Sequence, residues 1–222
     1  MGPPIGAEAA TQREAGGGFQ NTEQLGGRLD NSLTTTHRLP DAPLRSWFME
    51  PSEMVAAFHR WTAPLTEAQR AWLASRGVSA RAIVGDGWSE FSAVRAGRVE
   101  FYDAMFLPDP FGVPAFIVAE IDLDGAIVDF VAFDEKRHAP WLGDTSILGT
   151  DAISRPRIHR PLEAFPSPLQ WLAGERDGVV ILDAAKARWQ LADRTIFTKD
   201  KKLARRLAKS LELPAPKIFV EA

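Results

Sequence analysis

Two apolar runs joined by one acidic turn constrain this chain more than any other feature. In VPAFIVAEIDLDGAIVDFVAFD, residues 113–134, β-branched and aromatic residues crowd both runs, and Asp124–Gly125 lies between them. Asp-Gly in that setting is a hairpin signal, because tight hairpin turns need backbone angles that few other residue pairs adopt cheaply. The neighbouring sequence extends the pattern. FSAVRAGRVEFY is expected to turn at Ala96–Gly97 and MFLPD is a further short apolar run, so the stretch predicts an antiparallel meander of about four strands. Pro108, Pro110 and Pro114 place the path from Leu107 to Ala115 on a loop or a sheet edge.

Helical periodicity precedes the meander. PSEMVAAFHRW puts Met54, Val55, Phe58 and Trp61 on one stripe, with Pro51 in the first turn. In LTEAQRAWLASRG, Thr66 is an N-cap candidate, Ala68, Trp72 and Leu73 are spaced for one face, and Gly77 is the stop. Ser79 caps a third short helix ending near Gly85. After the meander the rhythm alternates: a helix capped by Ser167 with Pro168 in its first turn, the strand GVVILD, the helix AAKARWQLAD, the strand TIFT, the helix KDKKLARRLAKSLEL and a final KIFVE. Residues 1–40 carry GGG, GG and TTT with few large apolar groups, too little to offset the entropy of ordering, and are expected to form a disordered tail. The fold class predicted is α+β: tail 1–40, then one globular region 41–222, with helices over 41–87, the β-meander over 88–135 and a mixed α/β part over 156–222.

Composition narrows the chemistry. Among 222 residues there is no Cys, which excludes disulfides, thiolate nucleophiles, Fe–S clusters and Cys-based zinc sites. With no run of 18 apolar residues and no basic start followed by an apolar core, a cytoplasmic protein that avoids the membrane is expected. His37, His59, His138 and His159 form no metal-binding pair at short spacing, and no phosphate-loop, dinucleotide or nucleophile-elbow motif is present. A net charge of −3 means that any nucleic-acid contact must come from a local patch.

The acidic turn has two readings. Glu120, Asp122 and Asp124 alternate with Ile121 and Leu123, so an ideal strand puts the three carboxylates on one face. Such a set can hold Mg2+ for phosphoryl transfer or nuclease chemistry; the same alternation is also what a hairpin with one face in water requires. The charge distribution is polarised. Lys186, Arg188, Arg194, Lys199, Lys201, Lys202, Arg205, Arg206 and Lys209 fall between Ala185 and Lys209, with only Asp193 and Asp200 against them. Leu203, Leu207 and Leu211 recur every four residues, leaving Lys199, Lys201, Lys202, Arg205, Arg206 and Lys209 for contact with DNA or RNA phosphates, or simply for water. Trp61, Trp72, Trp171 and Trp189 lie in amphipathic helical patterns and are expected in the core, whereas Trp141 caps the sheet or meets a ligand.

RAWLASRGVSARAIVGDG, residues 70–87, resembles the Leu-x-x-Arg-Gly-hydrophobic-Ser helical stretch that precedes the Toprim catalytic fold of bacterial-type DNA primases and primase-like proteins of phages and plasmids. IVDFVAF (127–133), APWLG (139–143) and SPLQWLAGERDGVVILD (167–183) together are similar to proteins carried by proteobacterial prophages. The primase pattern is not completed: where that family has its catalytic glutamate, Val180–Asp183 offers only Asp183, no Asp-x-Asp follows, and the zinc-binding cysteines are absent. The resemblance therefore implies a non-catalytic accessory protein of a prophage or mobile element and assigns no catalytic residue. The expectation is a nucleic-acid-binding accessory protein, with a metal-dependent enzyme and a protein-interaction module as the alternatives.

Overall fold

The acidic turn closes as its composition requires. Asp122 Oδ1 accepts the backbone N–H groups of Asp124 at 3.0 Å and Ala126 at 2.8 Å, and Gly125 takes a left-handed φ of 85°. The computed structural model describes residues 50–85, 91–122, 124–155 and 160–212, all inside one unit running from Pro43 to Ala222. The tail expected over 1–40, His37, His159, Trp47, Trp88 and the KIFVE segment lie outside the described residues.

In chain order the elements are α1 (Pro51–Trp61), β1 (Thr62–Pro64), α2 (Glu67–Ser75), α3 (Ala80–Val84), β2 (Arg95–Tyr102), β3 (Met105–Pro108), β4 (Val113–Ile121) and β5 (Ile127–Phe133). Then come β6 (His138–Pro140), β7 (Ile147–Leu148), α4 (Asp151–Ser154), β8 (Leu162–Phe165), α5 (Pro168–Ala173), β9 (Val179–Ile181), α6 (Ala184–Gln190), β10 (Ile196–Phe197) and α7 (Lys201–Ser210). This is the α+β class expected. Caps form where short polar side chains precede apolar periodicity: Thr66 and Gln69 make a reciprocal capping box on α2, while Ser79 and Ser167 accept from Ala82 and Gln170. Among the described residues no helix is long and apolar enough to cross a membrane.

The first sheet is antiparallel in the order β1-β2-β4-β5-β6. β3 also pairs with β2, on the edge that β1 occupies further along: Val99 lies between Pro108 and Val113, and the Arg98 carbonyl oxygen accepts from Asp109 N on the side away from Pro114, so β3 and β4 flank β2 on opposite edges. Asp109–Gly112 carries the chain past Val99 from one edge of β2 to the other, with Phe111 91% exposed. A Cβ on Gly112 would stand 2.3 Å from the carbonyl oxygen of Val99, which is why the chain re-enters the sheet on glycine. The turn expected at Ala96–Gly97 is absent. β2 runs straight through it and turns at Asp103–Ala104, while Gly97 pairs with Thr62, where a Cβ would lie 3.2 Å from the Trp61 carbonyl oxygen. Glycine here records a close strand approach rather than a bend.

The second sheet has the order β10-β8-β9-β7, parallel between β10, β8 and β9 and antiparallel at β7. Three apolar clusters follow from this layering. Met54 and Phe58 of α1 cover one face of the first sheet, where Phe58 stacks on Phe130 with ring centroids 4.9 Å apart. Leu73, Ile83, Trp171 and Leu172 join Leu148 and Val180 of the second sheet to cover the other face at Val118, Val131 and Phe133. Leu191, Leu203 and Leu207 close the far side of the second sheet over Leu162, Val179 and Ile181. Both faces of the β4–β5 hairpin are therefore buried, and the half-solvated hairpin expected from the alternation is corrected on this point. Ala68, expected on the inner face of α2, is exposed, while Trp72 is half-buried and Leu73 buried.

Candidate nucleic-acid interface

α7 forms because Asp200 accepts the N–H groups of Lys202 at 2.7 Å and Leu203 at 2.9 Å, and because Leu203 and Leu207 find the apolar cluster over the second sheet. These backbone hydrogen bonds hold the Asp200 carboxyl below its ordinary range. With the leucines inward, Lys201, Lys202, Arg205, Arg206 and Lys209 are all exposed. They fall in two neighbouring rows, Lys201–Arg205–Lys209 and Lys202–Arg206, spaced by about 6 Å along the axis. Exposed Ala204 and Ala208 flank the rows, leaving room for a backbone to approach. Among the described residues none of these five cations forms an ion pair. Lys199, just before the helix, pairs with Glu163 at 2.8 Å, an exposed contact that contributes little and is easily exchanged. His138 on β6 is half-buried and sits below its usual imidazole range because of that partial burial and because Arg206 lies nearby.

Trp189 overturns the core expectation. On α6 the inward positions are taken by Ala187 and Leu191, and Trp189 is 62% exposed with the Arg188 guanidinium 5.5 Å from its ring centroid. Trp171 is buried, Trp61 and Trp72 are half-buried, and Trp141 packs on Trp61 and Phe130 as a cap of the first sheet.

The acidic set does not assemble. A register shift between Glu120 and Ile121, followed by the tight turn, breaks the period of two. Asp122 is spent on the turn and Asp124 is exposed, while Glu120 is turned inward at 3% exposure. Among the described residues no three His, Asp or Glu side chains are grouped to hold a metal, so the Mg2+ site read from Glu120, Asp122 and Asp124 is corrected.

Glu120 has a different role. Its Oε2 accepts from Gly149 N at 2.7 Å, and its Oε1 accepts from Thr150 N at 2.9 Å and from the Thr150 hydroxyl. Asp129, its cross-strand partner in register, is fully buried and accepts four backbone N–H groups, from Phe130, Leu142, Asp144 and Thr145. The two carboxylates thus pin the chain on both sides of β7, at 142–145 and at 149–150. Asp129 was legible as the single charge inside IVDFVAF, because a carboxylate in an otherwise apolar buried strand must find donors. Glu120 also borders a cleft of about 620 Å3 with Arg81, Asp151, Arg155, Trp171 and Arg176 on its walls. Its oxygens are committed to residues 149–150, which makes it an anchor and not a free base for that cleft.

Burial pushes the Glu120 carboxyl up to about 7 from 4.5, outweighing the hydrogen bonds from Thr150 and Gly149, with Asp151 acting in the same upward direction. Between these two values the native chain keeps a proton that the unfolded chain has released, so this residue makes stability fall as pH rises. The contribution over that window is about 3 kcal/mol. Glu120→Gln should remove it. Urea unfolding at about pH 5 and about pH 8 is expected to show the Gln variant gaining on the unaltered chain at the higher pH, and parallel behaviour would refute the assignment. Asp134 and Asp200, held below their ordinary range, act with the opposite sign but are common to both proteins.

Fold and surface together define a two-sheet α+β protein with a basic helical face on α7. No family model, no curated protein and no solved structure matches the chain.

Proposed function

We propose that this is a non-enzymatic nucleic-acid-binding protein whose contact surface is the outer face of α7, with Lys201, Lys202, Arg205, Arg206 and Lys209 meeting phosphates and Lys199 at the margin. The observation that carries the reading is that, Lys209 in the last turn apart, these cations oppose the helix that bears them. Lys201 and Lys202 occupy the first turn, where the helix dipole disfavours positive charge by about 0.3–1 kcal/mol each. Lys201–Arg205, Arg205–Lys209 and Lys202–Arg206 are like-charge pairs at a spacing of four, each unfavourable by about 0.2–0.5 kcal/mol. A face arranged only for solubility would alternate sign. A polyanion turns each of these local penalties into a contact.

The resemblance of residues 70–87 to the region ahead of the primase catalytic fold, and of later segments to prophage-carried proteins, supports a role as an accessory protein of a mobile element that handles nucleic acid. Five phosphate contacts give a slope of log affinity against log salt of about −3.5 on a single strand and about −4.5 on B-form duplex. Affinity is then expected to fall about a hundredfold on a single strand and about five hundredfold on duplex between about 50 and 200 mM salt, measured by anisotropy of a labelled oligonucleotide. A flat salt dependence, or no retention at the lower salt, would turn the search to an acidic protein partner.

A further inference from the structure

We propose that the cleft where α4 meets the entrances of β8 and β10 is a binding site for a phosphate monoester, held by Arg155, Arg160 and Arg194. The site is separate from the face proposed above, since no residue of α7 lines the cleft. Its volume is about 390 Å3, within the range of about 300–1,000 Å3 that small-molecule sites occupy. Ala152 and Leu162, both buried, give it an apolar floor, and the charged residues on its walls are the three arginines and Asp193.

Strand register brings two of the arginines together. β8 and β10 run parallel with Leu162 opposite Ile196, and just ahead of that pair Leu162 N donates to Thr195 O at 2.8 Å. Two positions before the pair on each side stand Arg160 and Arg194, abreast at the entrances of adjacent strands. Arg194 is fixed from α6 as well, its N–H donating to the carbonyl of the buried Leu191 at 3.0 Å. Adjacent strands lie about 4.8 Å apart, so like charges abreast are unfavourable without an anion between them. Both arginines are exposed, and among the described residues neither forms an ion pair or a side-chain hydrogen bond. Arg155, on the wall shared with the larger cleft, pairs with Asp151 one helical turn away, an exposed contact that a phosphate readily exchanges.

The donor set selects the ligand. Guanidinium groups match phosphate oxygens two at a time, and the Thr195 hydroxyl adds a neutral donor on the same wall. Three arginines against one aspartate leave two positive charges in excess, which suits the nearly dianionic monoester better than a carboxylate or a backbone phosphodiester, each with one charge. A free phosphorylated small molecule and the 5′-phosphate end of a strand share this chemistry.

The test uses the full chain and titration calorimetry at constant ionic strength, with inorganic phosphate and adenosine 5′-monophosphate as probes and adenosine as the control. Saturable binding of the monophosphate is expected, and none of adenosine. Arg160→Ala with Arg194→Ala should weaken the monophosphate by about 10- to 100-fold, while charge reversal on α7 leaves it unchanged. The unliganded double variant should melt no lower than the unaltered chain, because a like-charge contact has gone, so lost binding is not lost fold. Unchanged affinity in the double variant, or no saturable binding of either phosphate probe, would overturn the inference and leave the α7 reading as it was. Oligonucleotides with a 5′-phosphate or a 5′-hydroxyl, compared on the α7 charge-reversed protein, separate the two sources. A preference for the phosphorylated end that disappears in the double variant assigns the site to strand ends, and monophosphate binding without that preference assigns it to a small molecule.

Discussion

Changing Lys201, Lys202, Arg205 and Arg206 together to Glu is expected to abolish retention on DNA and RNA at low salt and leave the protein as stable as before, to within about 1 kcal/mol. The two halves of that result have separate causes. Binding of this class derives almost all its free energy from neutralised phosphates, and four reversed charges put repulsion where attraction was. Stability is maintained because glutamate in the first turn of α7 suits the helix dipole where lysine opposes it, and because Leu203 and Leu207, which hold the helix down, are untouched. Thermal melting and anisotropy on the same samples check both halves. Unaltered retention would sink the proposed function. A large loss of stability would show that the cations serve the fold, contrary to their placement.

The largest effect on stability is expected at Asp129→Ala. Four backbone N–H groups converge on this one carboxylate, and Phe130 and Thr145 among the donors are buried, so truncation leaves donors that water does not readily reach. Each buried N–H so orphaned costs about 1–3 kcal/mol, giving a total of about 3–5 kcal/mol, well above the ordinary range for one substitution. Burial also raises the Asp129 carboxyl above its usual range against the pull of those four hydrogen bonds, so the position tolerates its charge only because the donors are in place. Urea unfolding measures the loss, and limited proteolysis should find a new cut near Leu142–Ser146. A change below about 1 kcal/mol would mean that the chain at 142–145 is held by packing alone.

The fold was legible wherever a local rule and the tertiary environment agree. The hairpin at Asp124–Gly125, the caps at Thr66, Ser79 and Ser167 and the leucine repeat of α7 are all short-range devices, and each is found where the residues place it. What misled was context. Gly97 carries the same letter whether it bends a strand or admits a neighbouring one. Glu120 alternates like a solvent-facing strand residue, yet α2, α3, α5 and the second sheet cover that face, and no spacing within residues 113–134 encodes their arrival. Trp189 fits a helical stripe, but a short helix packs only its innermost positions, and Ala187 and Leu191 occupy them. The basic face was visible from composition and the leucine period. The exposure of Trp189 was not, because exposure belongs to the assembled layers.

The crossing at Asp109–Gly112 bears on how this architecture can change length. Because Val99 is paired on both sides of it, with Pro108 before and Val113 after, chain added between those points leaves every other strand partner as it was. A single residue inserted a few positions later, within β4, would exchange inward and outward side chains along the strand and carry Glu120 away from Gly149 and Thr150. The crossing between β3 and β4 is thus open to lengthening, at the small entropic cost of a longer loop, while β4 itself is closed to it. A tag or reporter domain belongs at the loop marked by Phe111 and not within β4.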